Sequence, residues 1–308
     1  MPEFDFDPER DIPELTGKVI LLTGGTAGLG ALAISHLAKR NPARICFTGR
    51  QEKAAEAIRR EVRDSGSSTE LEFLPCDLTS LEAVRQTADA LLARESRLDV
   101  LVANAGVMAK PVGLTKDGYE LQFGTNHMGH ALLIRKLLPL LEKTASGPGG
   151  DARIVILSSL AFVLAPRPNG IMFDELKTTQ NYWFLGPFVR YAQSKLANVL
   201  YGQELARRYP SITTLIIDPG VSQTSLIGSL PLQHKLVVWL PNIGKFLRPE
   251  QGPLNHVWAV GTPRDQVVSG QLYEPVGKLS NEFPPFPLEP HTGERLWDWT
   301  EEEIKKFL

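Results

Sequence analysis

Apolar positions along the chain follow two alternating rhythms. Short runs rich in β-branched residues occur at 18–24 (KVILLTG), 44–49 (RICFTG), 71–78 (LEFLPCDL), 98–106 (LDVLVANAG), 152–159 (ARIVILSS) and 212–220 (ITTLIIDPG). They are apolar at most positions, the pattern of strands buried on both faces. Between them, apolar residues recur at spacings of three and four in GLGALAISHLAKR (28–40), EKAAEAIRREVRDSG (52–66), SLEAVRQTADALLARE (80–95), NHMGHALLIRKLLPLLEK (126–143) and residues 188–208. That spacing predicts helices with one buried face. Strand and helix in strict alternation imply an α/β fold, a doubly wound parallel sheet of about seven strands with helices on both faces. Nothing from 18 to 220 reads as a linker, so the whole chain, 1–308, is expected to form a single domain.

Four segments depart from the rhythm. Residues 1–16 are acidic and broken by prolines, and read as an extension that is neither a signal peptide nor a membrane anchor. Residues 160–187 form a long insert with proline and aromatics, and residues 221–250 mix polar and apolar positions. Residues 276–308 extend past the last strand; there Thr300 and Glu303 stand at capping-box spacing, predicting a short final helix that starts at Thr300.

Charge and cysteine content narrow the classes. The 33 basic residues against 35 acidic give no electrostatic basis for binding nucleic acid. Two cysteines, Cys46 and Cys76, in strand-like contexts make neither a disulfide framework nor a metal spacing, which fits a reducing, cytoplasmic setting. No apolar run approaches the ~20 residues needed to span a bilayer.

The first strand is followed by TGGTAGLG (23–30), which opens the first helix. Gly24, Gly28 and Gly30 permit a tight turn and close approach of a ligand to the backbone. The helix start then presents free N–H groups and a positive dipole end to a diphosphate. The spacing is GxxxGxG, neither the GxGxxG fingerprint nor a P-loop. The second strand ends FTGRQ: Gly49 stands where a carboxylate would bind a ribose 2′-OH, and Arg50 offers a planar cation to a 2′-phosphate. The expected cofactor is therefore NADP(H) in preference to NAD(H). Asp77, beside Leu78, is placed to accept from an adenine amino group, Asn104 to tie strands together near the nicotinamide ribose, and Ala105 and Gly106 to keep the backbone close.

YAQSK (191–195) sets Tyr191 and Lys195 four apart, on one face of a predicted helix. A phenol near pKa ~10 is a poor base at neutral pH, and an adjacent ammonium favours its anion. A hydroxyl at the end of the fifth strand is the natural second donor. Ser158 and Ser159 compete for that role, and the strand's period of two lets only one reach the site.

TGGTAGLG, CDL, NAG, GTNHMGH, ILSS, YAQSK and DPGVSQT occur together in an order that resembles the short-chain dehydrogenase/reductase family over roughly residues 15–275. DGYELQFGTNHMGHALL and RYAQSKLANVLYGQEL are most similar to its branch of retinol dehydrogenases, WW-domain oxidoreductase and fungal secondary-metabolism reductases. The resemblance implies a Rossmann-like fold, Tyr191 as acid/base, Lys195 binding the nicotinamide ribose and tuning the tyrosine, Ser159 holding the substrate oxygen, and Asn126 holding a relay water. It further implies cofactor contacts from Thr23, Gly24, Thr26, Gly28, Leu29, Gly30, Arg50, Asp77, Leu78, Asn104, Ala105, Gly106, Pro219, Gly220, Val221 and Thr224. Read from the residues alone, Asn126 also fits a helix-start cap. His127 and His130, three apart, lack the accompanying carboxylate or thiol of a metal motif, so no metal is expected.

The expected function is reduction of a ketone or aldehyde on a lipophilic or aromatic molecule, or the reverse oxidation. A non-redox isomerase or dehydratase, or an NADP sensor without turnover, are the alternatives. Phe162, Phe173, Tyr182, Trp183, Phe184 and Phe188 of the insert, with Leu226, Ile227, Leu230, Leu236, Trp239 and Leu240, either wall the substrate site or pin the insert to the body. The second segment also suits a lid or a peripheral membrane contact, as in the retinol dehydrogenase branch. Monomer, homodimer and homotetramer all remain compatible.

Overall fold

The computed structural model describes residues 4–183, 185–222, 228 and 230–308. Eight strands form one sheet in the order β3-β2-β1-β4-β5-β6-β7-β8. They are β1 Val19–Leu22, β2 Arg44–Gly49, β3 Glu70–Pro75, β4 Val100–Ala103, β5 Arg153–Leu157, β6 Thr213–Ile217, β7 Leu272–Glu274 and β8 Lys278–Leu279. All pair in parallel except β7 with β8. The two-residue β8 lies in the region read from sequence as an extension; at that length it leaves no periodic signal.

Alternation along the strands divides the core in two. Val19, Leu21, Leu101, Ala103, Ile154 and Ile156 pack on one face, and Ile20, Leu22, Val100, Val102, Val155 and Leu157 on the other. Both faces are covered, so every position of β1, β4 and β5 is buried. The helices are α1 Gly28–Ala38, α2 Glu52–Asp64, α3 Leu81–Leu92, α4 Gly129–Ala145, α5 Gly186–Arg208, α6 Leu232–Trp239, α7 Leu254–Gly261 and α8 Thr292–Ile304, besides short turns. No helix among the described residues is long and apolar enough to cross a membrane.

β1 has β2 on one side and β4 on the other. The chain therefore leaves in opposite directions from the sheet's middle, and a crevice opens beyond the carboxyl ends of these strands.

Two helix boundaries differ from the sequence reading. α4 is preceded without interruption by Leu121–Phe123 and by a π-helical turn, Gly124–Met128. Asn126 thus sits inside a helical run and not at its start. α8 begins at Thr292, so Thr300 is mid-helix and fully buried, its hydroxyl 3.0 Å from His127 Nε2. The capping-box spacing of Thr300 and Glu303 is coincidental: Leu296 and Trp297 bury the turn before it, and Trp297 stacks on Tyr201 of α5. Glu303 instead accepts the Tyr119 hydroxyl at 2.7 Å. Seventeen of the 23 residues of α5 are buried within the chain.

Candidate active site

A cleft of about 370 Å³ lies in the crevice, walled by the turns after β1, β2, β3 and β4 and floored by Tyr191 and Lys195. Gly24, Thr26, Gly28, Leu29, Gly30, Arg50, Asp77, Leu78, Asn104, Ala105, Gly106 and Pro219 all line it. Glycines keep part of this wall tightly packed and free of side chains. A Cβ on Gly30 would lie 2.4 Å from the Gly24 carbonyl oxygen, and one on Gly49 2.5 Å from Thr26. Any side chain at position 49 would have to displace Thr26, while Arg50 stays exposed beside it. Ala27, the N-cap of α1, contributes no side-chain hydrogen bond, which leaves the first N–H groups of the helix to a ligand.

Thr23 plays a different part from the one its motif implied. It is fully buried beneath the cleft; its hydroxyl accepts from Asn104 N and Ala105 N at 2.9 Å, and its carbonyl from Asn104 Nδ2 at 2.7 Å. Asn104 thus ties β4 to β1 as expected. Two histidines complete this network, and their tautomers follow by elimination. The Asn126 carbonyl can only accept, so His130 Nδ1 carries the proton given to it at 2.9 Å. Burial lowers the His130 pKa to about 4, so the ring is neutral and its Nε2 accepts the Thr23 hydroxyl at 2.8 Å. His256, lowered to about 3 by burial, donates from Nε2 to Asn104 Oδ1 at 3.0 Å when the amide is oriented with Nδ2 on Thr23. No sequence spacing announced His256, which reaches the site from α7, 152 residues away.

Tyr191 and Lys195 occupy one face of α5, both almost wholly buried, with Lys195 Nζ 5.7 Å from the centre of the phenol ring. Nζ donates to the Leu157 carbonyl at 3.0 Å. Burial lowers the Lys195 pKa to about 8, with buried Asp218 pulling the other way. Burial pushes the Tyr191 phenol up, a Ser159 hydrogen bond pulls it down, and Asp218 raises it again. Burial is the largest influence here, and it holds the phenol above its ordinary value and protonated in the protein alone. Asp218, pushed up to about 6 by burial, is a site residue that sequence reasoning passed over; its signal was the DPG after β6.

The two serines have different partners. Ser158 lines the cleft and donates its hydroxyl to the Lys195 carbonyl at 2.8 Å, whereas the Ser159 side chain meets Tyr191 and accepts from Ala161 N at 3.2 Å. Asn126 clamps Val107 through both its side-chain atoms, at 2.8 and 2.9 Å, and donates to Ser194 at 2.9 Å. A Cβ on Gly106 would lie 3.2 Å from Asn126 Oδ1 and 3.7 Å from Lys195 Nζ, so these groups border the same spot. Gly220 has φ 75°, and a Cβ there would lie 2.7 Å from Leu247, while the Val221 carbonyl accepts from Leu247 N at 2.8 Å. Thr224, Leu226, Ile227 and Phe184 lie outside the described residues.

On the other side of Tyr191 is an apolar cluster of Met108, Ala109, Phe188 and Leu230, bordered by Leu185, Val237, Val238 and Phe246. Most aromatics of the insert are elsewhere. Phe162 is in the main core against Phe283, Phe173 meets Trp299, Tyr182 donates to Glu175, and Trp183 is exposed. Phe162 and Phe173 pin the insert to the body; Phe188 alone of the six joins the cluster among the described residues.

The short chain dehydrogenase family profile matches residues 18–173, and the chain belongs to that family. It is an oxidoreductase acting on CH–OH and C=O groups. An uncharacterized oxidoreductase of Schizosaccharomyces pombe is 37% identical, covering 85% of this chain and 76% of its own. Retinol dehydrogenase 14 of Homo sapiens is 33% identical, covering 92% of this chain and 85% of its own. The crystal structure of NADPH-bound carbonyl reductase from chicken fatty liver shares the fold, with a TM-score of 0.63 and 22% identity over 86% of this chain and 99% of that one.

Proposed function

We propose that the chain reduces a ketone or aldehyde on a lipophilic or aromatic small molecule, or oxidises the corresponding alcohol, with NADP(H) as its cofactor. The observation that carries this reading is the double position of Tyr191, which borders the dinucleotide cleft and also belongs to the apolar cluster. A carbonyl group lodged there meets both at once. Bound NADPH would supply the hydride. Tyr191, held protonated by burial, has a proton to give to the oxygen as charge develops on it. Ser159 is assigned to hold the same oxygen, and Lys195, mostly charged at neutral pH, to stabilise the phenolate left behind. Asn126 is assigned the water that returns a proton to Lys195.

Preference for NADP(H) is supported by Arg50 in the cleft and by a glycine, not a carboxylate, at position 49. A lipophilic substrate is supported by the cluster and by a relative named for retinol. A panel of ketones and aldehydes, followed by NADPH and NADH absorbance with Tyr191→Phe as control, tests the whole. Turnover by Tyr191→Phe equal to that of the unaltered protein would overturn it.

A second reading concerns α6, whose inner residues Val237 and Val238 cover the cluster. Its outer positions Leu232, Leu236, Trp239 and Leu240, with Ile243 beyond, are exposed at helical spacing. Lys235, Lys245 and Arg248 lie in the same stretch, and no carboxylate occurs between Asp218 and Glu250. This face suits an anionic lipid surface. The protein should sediment with phosphatidylserine-containing vesicles, less so in high salt or with Leu236→Glu/Leu240→Glu. Equal recovery with pure phosphatidylcholine and with the altered protein would end this reading.

A further inference from the structure

We propose that Arg190 is a positioning residue that fixes the width of the substrate site. The proposal rests on the reading above, in which a substrate lies against the cluster around Tyr191. Arg190 directly precedes Tyr191, and its side chain is 1% exposed. Its Nε lies 3.1 Å from Glu120 Oε1, itself fully buried. Nη1 donates to the Gln180 carbonyl at 3.0 Å and Nη2 to the Lys110 carbonyl at 2.8 Å. One guanidinium therefore joins the helix of the acid/base to three separate pieces of chain: the loop after β4, the entry to the π turn, and the insert. Glu120 extends the joint, capping Phe123 N at 2.7 Å through Oε2 while its own N–H donates to the Leu176 carbonyl at 2.8 Å.

Backbone conformation supplies a second, independent observation. Five non-glycine residues have positive φ among the described residues, and three stand in the segments that this arginine joins: Ala109 at 50°, Gln180 at 44° and Leu185 at 60°. Residues with a Cβ keep such conformations where their surroundings impose them. Ala109 and Leu185 place their side chains in the cluster around Tyr191; Arg190 holds the peptide at Lys110, next to Ala109, and that at Gln180 in the segment leading to Leu185, the N-cap of α5. The strained path of both walls is thus anchored to the same helix as the proton donor. Lysine, a single point donor, cannot bridge two carbonyls and a carboxylate as this planar fork does.

The test uses Arg190→Lys, which keeps a charge opposite Glu120, and the charge-free pair Glu120→Gln/Arg190→Met, in case the first does not fold. Each is assayed on a series of ketones graded in size, and NADPH affinity is measured separately. The ratio of kcat/KM between the best and worst ketone should move about tenfold toward one, mainly through KM, with NADPH affinity held within about twofold. An unchanged ratio, a parallel loss of NADPH binding and of turnover on every ketone, or failure of both variants to fold would each overturn the proposal and leave the arginine a structural staple. Failure of the underlying reading looks different: the unaltered protein would turn over no ketone, or Tyr191→Phe would remain active.

Discussion

On one side of Tyr191 the site is walled by the glycine-rich turns at the ends of β1, β2, β3 and β4; on the other it is walled by side chains from residues 108–109, 185–188, Leu230, 237–238 and Phe246. The first wall takes its shape from the sheet's topology, and glycines only clear space. The second depends on how three loops and a short helix settle against each other. A scaffold built this way can keep one cofactor while its substrate changes, because alterations to the second wall need not reach the first.

Substitutions can break or sharpen that contrast. Tyr191→Phe, at the junction, should lower kcat by about 10²–10⁴-fold while leaving NADPH affinity unchanged, measured by single-turnover kinetics and fluorescence titration. Gly30→Ala puts a methyl 2.4 Å from the Gly24 carbonyl oxygen. NADPH affinity should then fall by more than about tenfold, a loss of about 1.4 kcal/mol, while selectivity among ketones stays put. Arg50→Ala should shrink the preference for NADPH over NADH by about tenfold and leave kcat/KM with NADH unchanged. Lys195 has its pKa lowered to about 8, so it is cationic below that pH and neutral above it. Carbonyl reduction should therefore decline as pH rises through about 8, and a flat profile to pH 9.5 would show that the ammonium does not assist the phenol. The smallest effect is expected from Val238→Ala on the substrate wall, a change in ketone KM of about threefold with no change in NADPH affinity.

The same contrast governs what the sequence made legible. Strands buried on both faces and glycines at fixed spacing are local signals, so the sheet and the cofactor cleft could be read before any coordinates. The strand's alternation separated Ser158 from Ser159, but only the family resemblance chose Ser159. What escaped was set by distant partners. Thr23 belongs to the right motif, yet its hydroxyl is consumed by Asn104, Ala105 and His130. Asn126 looked like a cap because nothing local marks a π turn. The insert's aromatics gave no sign that Phe162 would meet Phe283 and Phe173 would meet Trp299, more than a hundred residues on.

Thr300 and His127 meet inside the protein, one position along the chain from Asn126. The closing helix is thereby keyed into the masonry under the reaction centre. Anyone grafting the tail of a relative onto this chain would be resetting the stone on which Asn126 stands, and should look for altered turnover before blaming the loops at the mouth.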